Sequence, residues 1–324
     1  MSWNQKQFRG PLARDFNRFR TIMSGLGKYD DHFWLMGRLD KFLIDHHSHA
    51  KALTKEILTE WFDTFAHLNP VTQRGYRSAI FLLCKFLRGL NPETSGREQF
   101  ATIRRPIFRP YVFSKEEVNK LLSETRMIRP MPKDPLRPRT FELVVALLFA
   151  CGLRISEVIS LDVGDYDPRE GVLKIRRTKF GKTRLVPAST SMRRMIDDYL
   201  KRRNEIDVPT NPESALIWSP YNGRPSREFM KIALMRLMRK AGIKPPHGRC
   251  GPRVHDLRHS FAVHRLLQWY QEGRDVPLLM PSLSTYLGHI NIQSTQHYLQ
   301  YMPEVLTEAS RRFENSFSAA EVRT

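Results

Sequence analysis

The first 90 residues carry apolar side chains at helical spacing. In four successive segments these side chains recur three and four positions apart, which is the pattern of a helix with one buried face. The four stripes are Phe16, Phe19, Ile22 and Met23; Phe33, Met36, Leu39 and Leu43; Ile57, Leu58, Trp61, Phe62 and Phe65; and Ile80, Leu83, Phe86 and Leu87. Asn69-Pro70 separates the last two stripes, and Gly89 is typical of a helix C-cap. The pattern predicts a compact helical domain over residues 1–95.

The next segment, residues 96–111, has no apolar period. It contains two prolines and four arginines, Arg97, Arg104, Arg105 and Arg109. Prolines without periodicity are typical of loops and linkers. We therefore expect a basic interdomain linker, whose Arg104, Arg105 and Arg109 are placed to bind a phosphate backbone.

The rest of the chain, residues 112–324, predicts a second, mainly α domain with a small β-sheet. Ser114 followed by Glu117 is a capping-box pattern, which predicts a helix start. The apolar segment Phe141 to Leu153 is typical of a buried helix. From Gly171 to Pro187 apolar and basic residues alternate around a turn with a glycine, and this pattern predicts a basic β-hairpin.

Net charge, apolar run length and cysteine spacing narrow the classes of protein and partner that fit this chain. The chain has 53 Lys and Arg against 33 Asp and Glu, a net charge of +20, and most of the excess lies after residue 100. Such an excess favours a polyanionic partner, nucleic acid first and an anionic membrane surface second. The longest apolar run is too short to span a bilayer. Three cysteines without disulfide or metal spacing predict a reduced, intracellular compartment.

Four short motifs could carry chemistry. They are G-L-R-I-S-E with Arg154 and Glu157, the hairpin turn with Lys179, H-D-L-R-H with His255 and Arg258, and L-G-H with His289, followed by Tyr298. Arg154 could instead be a charged residue that ends the apolar helix and offsets its dipole. Helical spacing puts His255 and Arg258 on one side of a helix start, where both can reach one anion.

Two points stay open at this stage. A metal site from His255, His259 and His264 is the less favoured alternative, because no Cys or carboxylate follows at zinc-ligand spacing and Arg258 would repel a cation. Nine residues turn a continuous helix by about 900°, which sets His289 and Tyr298 on opposite faces. The two converge only if the helix breaks, and Asn291 and Ser294 offer a turn and a new N-cap there.

Taken in order, these motifs resemble the tyrosine recombinase (phage integrase) family from about Ser114 to the end of the chain. The resemblance implies a C-shaped, two-domain DNA clamp, in which the helical domain is the core-binding domain and a C-terminal exchange helix, Glu304 to Phe317, docks on a neighbouring subunit. It assigns the catalytic positions to Arg154, Lys179, His255, Arg258, His289 and Tyr298. Lys179 is chosen by aligning the Arg-Leu-Val-Pro end of the hairpin, and Lys182 is the alternative; if Tyr298 is not the nucleophile, Tyr301 is next.

The chemistry of strand cleavage needs these residue types. Tyr298 would attack the phosphodiester and form a 3′-phosphotyrosine, which stores the bond energy for rejoining. Arg154 and Arg258 suit a phosphate clamp, because planar guanidinium groups donate paired hydrogen bonds. Lys179 is the candidate general acid, and Glu157 would orient Arg154. The clamp offsets the developing charge, so we expect no metal and no cofactor.

The predicted function is therefore site-specific DNA recombination or integration. We expect double-stranded DNA and a homotetramer on two sites as partners, possible accessory recombinase or DNA-bending proteins, no membrane, and a cytoplasmic, nucleoid-associated location. The expected DNA-binding residues are Arg104, Arg105, Arg109, Arg176, Arg177 and Lys182. Since no arm-binding domain precedes residue 12, a mobile-element enzyme is favoured. The alternatives are a type IB topoisomerase-like activity and a non-catalytic DNA-binding protein.

Overall fold

The computed structural model describes most of the chain in two compact units, residues 1–108 and 109–324. The described residues are 7–26, 32–104, 110–176, 183–248, 250–289, 291–293, 295–296, 298, 307 and 310–311. Both units are helical, and the second adds one small sheet. This is the mainly α architecture that the sequence predicts.

In the first unit, the described residues form four helices and one short 3-10 turn. These are α1 (Ala13–Gly25), α2 (Phe33–His46), α3 (Lys55–Asp63), α4 (Pro70–Arg88) and the turn Arg97–Gln99. The side chain of Asn69 accepts a hydrogen bond from the Thr72 N–H at 2.9 Å and so caps α4, while Gly89 follows its last residue. The predicted stripes form the core, except that Ile22 is 44% exposed on the last turn of α1.

In the second unit, the described residues form seven α-helices of six residues or more and a three-stranded sheet. The helices are α5 (Lys115–Arg126), α6 (Arg137–Ala150), α7 (Ile155–Ser160), α8 (Thr190–Asn204), α9 (Arg227–Lys240), α10 (Asp256–Gln271) and α11 (Val276–Leu287), and the strands are β1 (Tyr166–Asp167), β2 (Val172–Ile175) and β3 (Arg184–Pro187). The capping box at the start of α5 is confirmed, because Ser114 and Glu117 each accept the other's backbone N–H. Helix α6 packs against α5, α8 and α10, which explains why it is apolar on every side.

The sheet confirms the predicted hairpin and extends it. Strands β2 and β3 pair antiparallel with Lys174 opposite Leu185, and β1 pairs with the other edge of β2. Strand β1 was not predicted, since two residues are too short for a periodic pattern. The turn of the hairpin, with Arg177, Lys179 and Lys182, lies outside the described residues.

Two sequence-based boundaries need correction. Helix α6 begins at Arg137, four residues before the predicted start at Phe141, because a proline such as Pro138 is tolerated in the first turn of a helix. The same helix ends at Ala150 rather than at Leu153. Arg154 therefore does not end α6 and does not offset its dipole. It lies instead at the start of α7.

The predicted linker is described only in part. Residues 101–104 have no regular structure and Arg104 is exposed, whereas Arg105 and Arg109 fall outside the described residues. Tyr301 and nearly all of the predicted exchange helix, residues 304–317, do so as well. Among the described helices, none is both long enough and apolar enough to cross a membrane.

Candidate active site

A tight turn after α6 sets the direction of Arg154. Gly152 has a φ of +60°, a conformation that glycine adopts without strain. A Cβ at this position would lie 2.5 Å from the Phe261 ring, so any larger residue would displace that ring. The chain then becomes extended at Arg154, which is the N-cap of α7, and the Arg154 side chain is 23% exposed.

The buried carboxylate of Glu157 contacts three arginines. Its oxygens accept hydrogen bonds from the Arg154 backbone N–H at 2.9 Å and from Arg154 Nη1 at 2.7 Å. Arg184 on β3 donates from both terminal nitrogens, at 2.9 and 2.8 Å, and Arg258 Nη1 lies 3.7 Å from Oε2. Burial raises the pKa of Glu157, but the hydrogen bonds from Arg184 and Arg154 outweigh it and lower the pKa to about 2. The carboxylate therefore stays ionised at neutral pH.

Arg258 lies in the first turn of α10 and is 1% exposed. It donates from Nη1 to the Gly152 carbonyl at 2.7 Å and from Nη2 to the Leu287 carbonyl. Arg154 also donates to a backbone carbonyl, from Nη2 to the Gly288 oxygen at 3.1 Å. Burial lowers the pKa of Arg258 to about 9, so the guanidinium is still charged at pH 7. The two arginines are thus held by backbone carbonyls of the G-L-R-I-S-E and L-G-H motifs.

Two histidines flank these arginines. His255 is the N-cap residue of α10, and its ring centroid lies 4.6 Å from that of His259. His289 follows Gly288, and its Nδ1 is 2.8 Å from the hydroxyl of the buried Thr295. Desolvation and the charge of Arg258 lower the pKa of His255 to about 4 and that of His289 to about 3. Both imidazoles are neutral at pH 7, although His255 as a residue is exposed.

Tyr298 reaches the same place because the helix breaks. Helix α11 ends at Leu287, Gly288 adopts the left-handed conformation, and helical structure resumes at Gln293. The predicted break is confirmed, but it comes before His289 rather than at Asn291. Tyr298 is 2% exposed, and its hydroxyl lies 2.7 Å from Nδ1 of His259. Burial raises the pKa of Tyr298 to about 12, and the charges of Arg258 and Arg154 act against that rise.

Comparison with known proteins decides the family. The phage integrase family model matches residues 112–304, which include every motif described above. This chain belongs to the phage integrase family. The protein y4rB of Sinorhizobium fredii, which carries the name integrase/recombinase, is 35% identical over 81% of this chain and 84% of its own length. The tyrosine recombinase XerA of Pyrococcus furiosus is 31% identical over 77% of this chain and 79% of its own length.

Solved structures of the same family share the fold. The Tn1549 transposon integrase in complex with transposon right end DNA matches with a TM-score of 0.66 and 15% identity, over 97% of this chain and 99% of that one. A lambda integrase tetramer bound to a Holliday junction matches with a TM-score of 0.61 and 15% identity, over 86% and 77%. The resemblance to tyrosine recombinases is therefore confirmed. The chain is a tyrosine recombinase, an enzyme that breaks and rejoins DNA strands.

The described residues of this recombinase bring five of the six predicted catalytic positions together. They lie at α7, at the start of α10 and in the segment after α11, and are Arg154, Arg258, His255, His289 and Tyr298. Glu157 contacts both arginines. The sixth position, Lys179, is outside the described residues, as is its alternative Lys182.

The predicted DNA-binding arginines are placed differently. Arg176, directly after β2, is half exposed and forms an ion pair with the buried Asp165. Arg104 belongs to the first unit and is exposed. These two side chains therefore differ in how readily they can give their hydrogen bonds to a phosphate.

Sequence reasoning missed three residues of the site. The sequence assigns no role to Arg184 beyond the alignment of the hairpin, it offers His259 only as a metal ligand, and it assigns no role to Thr295. Their partners are Glu157, Tyr298 and His289 respectively. His259 had one available signal, since it lies one helical turn after His255.

The described residues also bear on the metal alternative. They contain no group of three His, Cys, Asp or Glu side chains that could hold a metal ion. His264 instead donates from Nε2 to the Phe113 carbonyl at 2.8 Å. Its ring thus helps to fix the entry into α5.

Proposed function

We propose that this recombinase cleaves double-stranded DNA with Tyr298 as the nucleophile and with Arg154 and Arg258 as the phosphate clamp. The observation that carries the proposal is the burial of the Tyr298 hydroxyl in the field of both arginines. Preorganised cationic donors stabilise the charge that develops on a transferring phosphoryl group. Two guanidinium groups, fixed by Glu157 and by backbone carbonyls, are such donors.

The reaction balances in one displacement. The Tyr298 oxygen bonds to phosphorus, the bond from phosphorus to the 5′-oxygen breaks, and the tyrosine proton passes to the neutral imidazole of His255 or His289. The leaving 5′-oxygen takes a proton from a general acid, which the family resemblance assigns to Lys179. The 3′-phosphotyrosine then exchanges with another 5′-hydroxyl, so rejoining needs no nucleotide cofactor. His255 and His289 are neutral and can hydrogen-bond the phosphate oxygens.

We assign residues 1–95 to the core-binding domain, 96–111 to the linker and 112–324 to the catalytic domain. Arg104, Arg105, Arg109, Arg176, Arg177 and Lys182 are the proposed contacts to DNA. The net charge of +20 and the exposure of Arg104 support this assignment. Arg176 would have to share its guanidinium between Asp165 and a phosphate.

A homotetramer on two DNA sites is the proposed assembly. The lambda integrase tetramer bound to a Holliday junction, whose fold this chain shares, supports it. Docking of an exchange helix over residues 304–317 stays a prediction, and so do the mobile-element origin, the nucleoid location and accessory proteins. Recombination between two sites, rather than relaxation of a single plasmid, separates this proposal from the topoisomerase-like alternative.

Covalent capture tests the nucleophile. Adducts trapped on fragmented genomic DNA by denaturation and then sequenced would define the site, and a nicked duplex with that site serves as the suicide substrate. Tyr298→Phe should abolish the adduct and leave the DNA dissociation constant within about twofold, because only a hydroxyl is removed. Tyr301→Phe is the matched control and should still form the adduct. An adduct in Tyr298→Phe that disappears in Tyr301→Phe would transfer the role to Tyr301.

A further inference from the structure

The proposed nucleophile makes a side-chain contact outside the phosphate clamp. The Tyr298 hydroxyl lies 2.7 Å from His259 Nδ1, and the two rings meet edge to face with centroids 5.6 Å apart. His259 follows the clamp residue Arg258 directly on α10, and its ring also packs against that of His255. The helix that carries the clamp therefore also holds the attacking oxygen.

We propose that His259 orients the Tyr298 hydroxyl for attack by accepting its hydrogen bond. The inference rests on the proposed role of Tyr298 as the nucleophile. Holding a reacting group in its attack geometry removes rotational freedom that the transition state would otherwise have to lose. Packing in an apolar cluster holds the buried Tyr298 ring, and the hydrogen bond in addition fixes the direction of its hydroxyl group.

The protonation states of the two groups are set by their burial, and the proposal requires the imidazole proton of His259 on Nε2, so that Nδ1 accepts from the tyrosine hydroxyl. Burial raises the pKa of Tyr298 to about 12, so the phenol keeps its proton. Desolvation, together with His255 and the arginines, lowers the pKa of His259 to about 2, so its ring is neutral. The proton therefore stays on the tyrosine in the DNA-free enzyme. His259 holds the nucleophile there and does not deprotonate it.

The other histidines of the site do not duplicate this contact. His289 Nδ1 is paired with the Thr295 hydroxyl at 2.8 Å. His255 packs its ring against His259 rather than against Tyr298. Since α10 fixes both Arg258 and His259, the distance between the clamp and the nucleophile is set by adjacent residues of one helix.

Two substitutions separate the hydrogen bond from packing. His259→Phe keeps a flat ring and removes the acceptor, whereas His259→Asn loses the ring but places an amide oxygen near the former Nδ1. With the nicked duplex at saturation, we expect His259→Phe to slow single-turnover adduct formation about tenfold, the usual value of one oriented hydrogen bond. His259→Asn should stay within about threefold of the parent. The exposed His247 supplies the control, and His247→Asn should leave the rate unchanged.

A measurement without DNA checks the same contact. Tyrosine labelled with carbon-13 at Cζ reports the hydrogen bond of its hydroxyl by nuclear magnetic resonance, and Tyr298→Phe identifies the signal by its loss. We expect this signal to move in His259→Phe and to return toward its original position in His259→Asn. An unmoved signal in His259→Phe, or equal rates for the Phe and parent enzymes, would overturn the proposal. A faster Phe variant would overturn it as well, because the bond would then restrain attack.

Failure of this inference is distinguishable from failure of the proposed function. If Tyr298→Phe abolishes the adduct while His259→Phe has the parent rate, Tyr298 remains the nucleophile and only the orienting role is lost. If Tyr298→Phe still forms the adduct, the proposed nucleophile itself is wrong. Should His259→Phe fail to fold, His259→Leu takes its place as the variant without an acceptor, and His259→Asn remains the test of rescue.

Discussion

The two units of this recombinase bury different kinds of side chain. The core of the first unit is apolar and rich in aromatic rings, and among its described residues the one buried carboxylate, Asp40, accepts hydrogen bonds from the backbone N–H groups of Arg9 and Gly10. The second unit buries the charged groups of Glu157, Arg258, Arg203 and Lys244. Burial of apolar surface is non-directional, whereas a buried charge needs partners in defined positions. A change in the first unit should therefore act mainly on stability, whereas a change at a buried charge of the second unit should also move the groups it holds.

The partners of these buried cations are mostly backbone carbonyls. Arg203 donates to the carbonyls of Ala215 and Leu216, and Lys244 to those of Cys250 and Pro252. Such contacts bind one segment of chain to another. In the second unit the position of a loop is thus fixed by a charge, which ties the geometry of the site to the stability of its surroundings.

The largest expected effect is on the cleavage rate when Arg258, in the site of the second unit, is replaced. Arg258→Ala should slow single-turnover cleavage by about 10²- to 10³-fold, the usual cost of one preorganised donor. Arg258→Lys should recover little, because an ammonium group cannot reach the Gly152 and Leu287 carbonyls and a phosphate together. Arg126→Ala, which loses an exposed pair with Glu142, is the control and should cleave normally. Cleavage by Arg258→Ala at the parent rate would remove this residue from the clamp.

The next effect concerns the first unit's core. Leu39 is fully buried on α2, and Leu39→Ala should lower the free energy of unfolding by about 2–5 kcal/mol. We expect urea denaturation to show that loss, while the cleavage rate on saturating DNA stays near the parent value, because Leu39 lies outside the catalytic unit. Ile44→Ala on the same helix changes a side chain that is 45% exposed and should cost much less. Equal losses for the two variants would contradict the assigned core.

Apolar periodicity predicted the core of the first unit better than the buried polar contacts of the second, because a periodic pattern reports only on local burial. A stripe such as Leu39 and Leu43 on α2 is local, and each position repeats within one helical turn. Arg184 and Glu157 are 27 residues apart, Arg154 and the Gly288 carbonyl 134. No local pattern encodes such contacts. The motif residues themselves were found because of their resemblance to a family, and Ile22 was misplaced because periodicity does not show where a stripe leaves the core.

A smaller effect on stability and on cleavage is expected when Glu157 is replaced. Glu157→Gln keeps the size of the side chain but removes the charge that Arg154, Arg184 and Arg258 share. We expect an unfolding free energy lower by about 1–3 kcal/mol and cleavage slower by about tenfold, since one partner of a buried network is lost. Glu142→Gln affects one pair with an exposed arginine and should do neither. Normal cleavage by Glu157→Gln would show that the backbone carbonyls alone orient the clamp.

The smallest expected effect is the acid sensitivity of the catalytic unit. Burial lowers the pKa of His259 to about 2 and that of His289 to about 3, below the ordinary value of 6.5, so the unfolded chain binds protons first as the pH falls. Their contribution to stability is complete above pH 6.5 and declines below it, by on the order of 1 kcal/mol between pH 7 and 5.5 after partial solvent contact is considered. Glu157 adds a further loss only below pH 4.5. Urea midpoints over this range should fall less for His259→Asn than for the parent, and parallel curves would show that His259 is not held neutral by the fold.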